Sequence, residues 1–219
     1  MFDFCESYKR KFNYWLYSEF ENQLKQKINI LKLPPAQLFM FKKIKSFIIG
    51  VGLFFDYLYD NIFRVITGMP RLKRCQITAH LFLGSQYNLV GLKKLKALGV
   101  TAIVNMRMHN TYDDATHEGI KYVHFPTIDN TPPPLGVLIQ GADFIDEEIK
   151  HKGIVYVHCR QGLGRGPTMA MAYLIKLGMT YNDAYTQIRR VRIFINPRPG
   201  QIRRLKELEA YYAEHRNHQ

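Results

Sequence analysis

Cys159 and Arg165 stand six positions apart in the string His158, Cys159, Arg160, Gln161, Gly162, Leu163, Gly164, Arg165. The run before it, 153–157, is short and rich in β-branched residues, so it reads as a buried strand. The run after it, 167–175, reads as a helix with Pro167 in its first turn. Between a strand and a helix, the backbone N–H groups of a glycine-containing loop can turn inward. With the positive end of the helix they hold a dianionic phosphate. The same field favours the thiolate form of a cysteine at the start of the loop, which makes Cys159 a nucleophile. Arg165 closes the loop, and its planar fork matches two oxygens of a phosphoryl group at the place where transition-state charge gathers. The phosphate-binding stretch is therefore Arg160, Gln161, Gly162, Leu163, Gly164, Arg165 and Gly166. Taken singly, Cys159 would read as an inert core cysteine and Arg165 as a surface charge at a helix start. The whole string, with glycine at the third position after the cysteine, argues for the site. His158 either orients the loop through a hydrogen bond or simply ends the strand. With one neighbouring thiol and no second ligand pair it is not a metal ligand. No metal or other cofactor is expected.

These residues resemble the cysteine-based protein tyrosine phosphatase superfamily and, within it, the compact dual-specificity branch. The resemblance runs from about Ile77 to the C-terminus. It implies a two-step reaction in which the thiolate attacks phosphorus, a phosphocysteine forms, and water hydrolyses it. It also implies an aspartic acid on a separate loop, some thirty residues before the cysteine, that protonates the leaving oxygen and later activates the water. Asp129, after the strand-like 120–125, stands at that distance. Asp129, Asn130, Thr131 and Pro132 are also ordinary turn formers. One position departs from the family pattern: Gly166 stands where Ser or Thr usually follows the arginine and stabilises the departing thiolate. Slower breakdown of the intermediate is expected. Thr168, two residues on, supplies either that hydroxyl or a helix cap.

The resemblance leaves the substrate open. The stretch from Ile193 to Gln201, with Arg198, Pro199, Gly200 and Gln201, is similar to the mitochondrial-type phosphatidylglycerophosphate phosphatases, as is 169–175. Those relatives act on lipid head groups. The loop lacks the extra lysine that some phosphoinositide phosphatases carry, and Gly166, Pro167 and Thr168 are also similar to protein-directed dual-specificity enzymes. Arg198 reads either as a wall of the pocket or as a loop arginine in solvent.

The elements that must position this chemistry follow an α/β alternation. Strand-like segments fall at 81–84, 101–105 and 120–125, besides the strand before Cys159. Leu89, Leu92, Leu95 and Leu98 recur on one helical face, and Leu135, Leu138, Ile139, Ala142, Ile145 and Ile149 on another. Helical stretches at 181–191 and 201–212 complete the flank. The expectation is a small, mostly parallel central sheet flanked by helices, with the site at the carboxyl end of the central strand. The arginines at 189, 190, 192, 203 and 204 fall in helical stretches and read as solvent-facing charge.

With 219 residues the chain suits one α/β domain plus an extension. Its cysteines, Cys5, Cys75 and Cys159, are odd in number and widely spaced, as expected of a reducing intracellular compartment. The first residues are charged and lack a leader pattern. A formal net charge of +13 attracts acidic partners: anionic lipid, phosphorylated substrate or nucleic acid. No zinc-finger spacing, RNA-recognition motif or basic heptad points to nucleic acid, and none is expected as a partner.

Residues 1–70 form a basic, aromatic-rich helical extension, and 71–219 the catalytic domain. The segment from Leu38 to Arg64 mixes aromatics with Lys42, Lys43 and Lys45. Its uncharged run, 46–55, is shorter than the roughly 20 apolar residues a bilayer span needs, so crossing is not expected. Two readings stand: a helix lying peripherally on an anionic membrane surface, or a helix packed on the catalytic core. Three functions remain open: a lipid head-group phosphatase at a membrane, a phosphatase of phosphotyrosine, phosphoserine and phosphothreonine in proteins, and a catalytically weak phosphate-binding module.

Overall fold

The computed structural model describes residues 35–216 apart from Thr111, Asp113 and Asp114. The expectations for 1–34 lie outside the described residues. Two compact units are present, Met1–Phe54 and Phe55–Gln219. The division falls inside the first helix, α1 (Pro35–Thr67), rather than at residue 70. The reason is ionic. Asp56 pairs with Arg71 and Arg74 at 3.0 and 3.2 Å, and Asp60 pairs with Arg71 and Arg192, so the last turns of α1 belong to the catalytic unit.

Helix α1 begins at a proline, which loses no hydrogen bond there, and ends at Gly68, whose positive φ of 89° closes the helix with an N–H bond to Arg64. By length and composition, Phe39–Thr67 is long and apolar enough to cross a bilayer. That corrects the expectation drawn from the uncharged run alone, because the apolar character continues past Asp56. Within that stretch Asp56 and Asp60 are committed to arginines of the folded unit.

Within the second unit, β1 (Leu81–Gly84), β2 (Ala102–Asn105), β3 (Lys121–His124) and β4 (Val155–His158) form one sheet in the order β1-β4-β2-β3, every pair parallel. The short helices and strands between them are the expected ones: α2 (Leu89–Ala97), α3 (Leu135–Lys150), α4 (Arg165–Lys176), α5 (Tyr181–Val191) and α6 (Pro199–Arg216). Strand alternation divides the core. Leu81, Leu83, Val104, Val155 and Val157 join the side chains of α3 to α6 on one face, while Phe82, Ile103 and Tyr156 join α2 on the other. Of the α2 stripe, Leu92 and Leu95 are buried and Leu98 half-buried, but Leu89 is exposed, because it occupies the first turn where the helix leaves the sheet.

Helix α4 is the pivot. It packs against β1 and β4 and also touches α3, α5 and α6. Eleven of its residues, Arg165 to Ile175, are buried. Strand β4 lies between β1 and β2 and ends at His158, so the loop that follows it opens at the carboxyl edge of the sheet.

Candidate active site

The loop from Arg160 to Gly164 is best understood through its carbonyl groups. Each has a specific outward partner: Arg160 O accepts from the Gln86 N–H, Gln161 O from Arg192 Nη2, Gly162 O from Arg192 Nε, Leu163 O from the Asn196 N–H, and Gly164 O from the Thr168 N–H and hydroxyl. A trans peptide plane sets its N–H opposite its C=O. Holding the carbonyls outward therefore turns the following N–H groups inward. The clearest case is the peptide joining Gln161 to Gly162, whose oxygen is 2.8 Å from Arg192 Nη2 and whose N–H donates to Cys159 Sγ at 3.2 Å. Gly162 has φ of 69°, and a Cβ there would sit 2.7 Å from both Arg192 Nη2 and Gly84 O, so only glycine makes this turn.

Arg165 is 5% exposed and held in place by a 2.8 Å bond from Nη1 to Thr127 O, while Nη2 meets Asp129 Oδ1 at 2.9 Å. Its Nε has no partner among the described residues. Nε and Nη2 are thus the donors available to an anion, one unpartnered and the other held by an exposed carboxylate. Asp129 reaches the site from the β3–α3 loop, as its spacing from the cysteine predicts. The cavity of about 170 Å³ over the loop is lined by Asp129, Cys159, Arg160, Arg165, Arg198 and Gln201, among others. Cys159, Arg165, Asp129, Arg160 and Arg198 are therefore brought together. Arg198 is a pocket wall, its Nε donating to Asn130 Oδ1 at 2.9 Å.

Three expected residues take supporting places. His158 lies beneath the loop against Tyr87 and Tyr156, with Nδ1 3.3 Å from Cys159 O. Thr168 does not offer its hydroxyl to the thiolate, because that hydroxyl is bound to Gly164 O at 2.9 Å. It ties the loop to the first turn of α4. Gly166 does face the nucleophile: a Cβ built there lies 3.5 Å from Cys159 Sγ and 3.2 Å from Leu83 Cδ1. The hydroxyl of a serine at that position would be within reach of the sulfur.

Sequence reasoning missed three residues. Arg192, expected in solvent, is 1% exposed and supplies two of the bonds that shape the loop. Gln201 is fully buried, accepting from the Arg198 N–H and donating to Thr131 O, so it fastens α6 to the loop that carries Asp129. Arg107, after β2, lies within the electrostatic reach of Cys159. Burial foremost, with Arg160 and Arg165 adding, lowers its affinity for a proton. Only Gln201 left a trace in the sequence, as part of an Arg-Pro-Gly-Gln string.

Burial moves two other groups. The Cys75 thiol is pushed up to about 12, so it stays protonated and unreactive. The His158 imidazole is pushed down to about 3 and is neutral at physiological pH.

The catalytic-domain model of the dual specificity phosphatases matches residues 81–211. Human dual specificity protein phosphatase 5 is 32% identical over 137 residues, covering 62% of this chain and 35% of that protein. The chain thus spans about a third of the length of the first curated relatives it matches. Among solved structures, PTPMT1 is similar with a TM-score of 0.62 and 25% identity, over 66% of this chain and 99% of that one. PTPMT1 in complex with PI(5)P gives a TM-score of 0.61 and 24% identity, over 64% and 97%.

The neutral, buried His158 carries a stability prediction. An unfolded histidine takes a proton near pH 6.5, whereas His158 takes one only near 3, so stability falls as pH drops through that window. The urea midpoint of the native sequence should fall more steeply than that of His158→Asn between about pH 6.5 and about pH 4. Parallel slopes would remove this role.

Proposed function

The chain belongs to the dual specificity phosphatase family, and from that membership we propose that it hydrolyses phosphomonoesters through a phosphocysteine, with a membrane phospholipid head-group phosphate as substrate. The observation that carries the reaction is the loop geometry: inward N–H groups, one of them on Cys159 Sγ, beside a buried arginine whose Nε is unpartnered among the described residues and whose Nη2 is held by an exposed carboxylate. In the first step the thiolate attacks phosphorus and the P–O bond to the leaving group breaks. Asp129 gives its proton to the departing oxygen. In the second step the Asp129 carboxylate takes a proton from water, the water oxygen bonds to phosphorus, and the P–S bond breaks to restore the thiolate. Phosphate binding draws Arg165 Nη2 away from the exposed Asp129 carboxylate, which takes a proton from solvent and passes it to the leaving oxygen.

Two observations support a lipid substrate. The second unit leaves Phe55, Leu58, Ile62, Val65 and Ile66 of α1 exposed, an apolar strip suited to lying in the interface of an anionic membrane beside a chain of net charge +13. A protein of the same fold has been solved in complex with PI(5)P. Phosphatidylglycerophosphate and phosphoinositides are the substrates we favour. The identity to dual specificity protein phosphatase 5 supports a second reading, in which the substrates are phosphotyrosine, phosphoserine or phosphothreonine in proteins. We infer an intracellular reducing compartment, where a catalytic cysteine stays reduced.

A substrate panel separates the readings. Phosphate release from vesicles containing phosphatidylglycerophosphate or a phosphoinositide should exceed release from phosphopeptides, and Cys159→Ser should abolish both. Ile62→Glu with Ile66→Glu should cut the vesicle rate several-fold while a small aryl phosphate stays within about twofold. Faster release from peptides would overturn the lipid assignment.

Asp129→Asn should lower kcat by about 100-fold or more on alkyl phosphates, which need a proton on the leaving oxygen, and far less on aryl phosphates. Equal losses would remove Asp129 as the acid. Gly166→Ser should abolish any burst and raise steady-state turnover of an aryl phosphate, because its hydroxyl would stabilise the thiolate leaving phosphocysteine. An unchanged steady state would show that Gly166 does not limit the second step.

A further inference from the structure

Arg192 uses each of its three nitrogens differently. Nε and Nη2 hold Gly162 O and Gln161 O, both at 2.8 Å, while Nη1 faces Arg74 O at 3.3 Å and Asp60 Oδ2 at 3.5 Å. Asp60 lies on α1, outside the residues matched by the family model, and is 2% exposed. Its other oxygen accepts from the Arg71 N–H and Nε, both at 3.3 Å. A guanidinium is planar, so restraining Nη1 also fixes the plane in which Nε and Nη2 donate. Phe194 holds one face of that plane, 4.7 Å from the guanidinium carbon.

We propose that Asp60 is a positioning residue for the phosphate loop: through Arg192 it sets the peptide planes whose N–H groups face Cys159 and the substrate. The inference rests on the reading of Cys159 as a phosphatase nucleophile. Asp60 touches neither sulfur nor substrate. Its carboxylate balances a guanidinium that is buried away from water, and a buried charge left without its partner draws in water or turns toward it. A turned Arg192 releases Gln161 O, the peptide rotates, and the Gly162 N–H leaves Sγ. The last turns of α1 are then part of the catalytic machinery, not a tether placed before it.

The test uses the full-length chain in a Cys5→Ser background and follows alkylation of Cys159 by iodoacetamide against pH, with the site assigned by mass spectrometry. Cys75 is buried, with its thiol pushed up to about 12 chiefly by that burial, and the mass assignment separates any alkylation there from that of Cys159. Asp60→Asn keeps the shape and an acceptor oxygen but removes the charge. It should shift the alkylation profile to higher pH and lower kcat on an aryl phosphate by about tenfold with a smaller change in KM. Arg192→Lys keeps the charge without the fork and should shift the profile the same way. The alkylation shift and the kcat loss of the double variant should be no larger than those of Arg192→Lys alone, because Asp60 reaches the loop through Arg192, while its bonds to Arg71 contribute to stability.

An Asp60→Asn profile that superimposes on the parent, with only the thermal midpoint lowered, would overturn the proposal. So would additive kcat losses in the double variant. If Asp60→Asn does not fold, an unshifted profile for Arg192→Lys overturns it equally. A shifted profile in a chain that hydrolyses no phosphate would leave the positioning role standing and refute the phosphatase reading instead.

Discussion

A loop that binds an anion through its N–H groups must turn its carbonyls away from that anion, and each carbonyl so turned needs a donor. A buried acceptor without one costs roughly 1–3 kcal/mol, so five unmatched carbonyls would cost about as much as the whole stability of a small domain. The loop here draws those donors from the β1–α2 connection, from Arg192, from the segment before α6 and from the first turn of α4. Much of the fold can be read as the means of bringing these donors to one edge of the sheet. The buried α4, with almost every residue from Arg165 to Ile175 enclosed, gives the loop a rigid floor.

The charges around the site follow from the same constraint. Arg165 and Arg192 are both nearly inaccessible, and a buried cation persists only where carbonyls and carboxylates replace its water. Thr127 O and Asp129 do this for Arg165, while Asp60 and three carbonyl groups do it for Arg192. The difference lies in exposure. Asp129 has a side chain 64% exposed and can leave Arg165 to act on a substrate, whereas Asp60 is sealed beside Arg192 and cannot. One pair is built to open and the other to hold.

The distinction also explains what was legible in the sequence. Cys159, Gly162 and Arg165 work through a continuous backbone, so their spacing alone displays the loop. Asp129 was legible because its distance along the chain matched a family pattern. The strand and helix periods predicted the sheet and its flanks, since alternation records which face is buried. Arg192 followed Arg189 and Arg190 in a stretch where solvent-facing charge is the default, and no local signal marks the one arginine that turns inward. Asp60 acts across 132 positions and Gln201 across 70, so their partners could not be read from neighbouring residues. Thr168 was misread in part because one hydroxyl can serve a thiolate or a carbonyl, and only geometry decides between them.

Helix α1 shows how the loop's requirements shape the surface. From Phe55 to Thr67 its inward side carries Asp56, Tyr57 and Asp60, directed at three arginines and Phe194, while Leu58, Ile62, Val65 and Ile66 point outward. The polarity is inverted relative to an ordinary surface helix, which hides its apolar stripe. Turning the helix over would bury the leucine and isoleucines, at about 25 cal/mol per Å² of apolar surface, but would strand Arg71 and Arg192 without their carboxylates. The ionic anchor wins, and the apolar side is left outward as its consequence. A membrane surface would relieve that exposure without disturbing the anchor, so the lipid reading asks nothing of α1 that its inner face opposes.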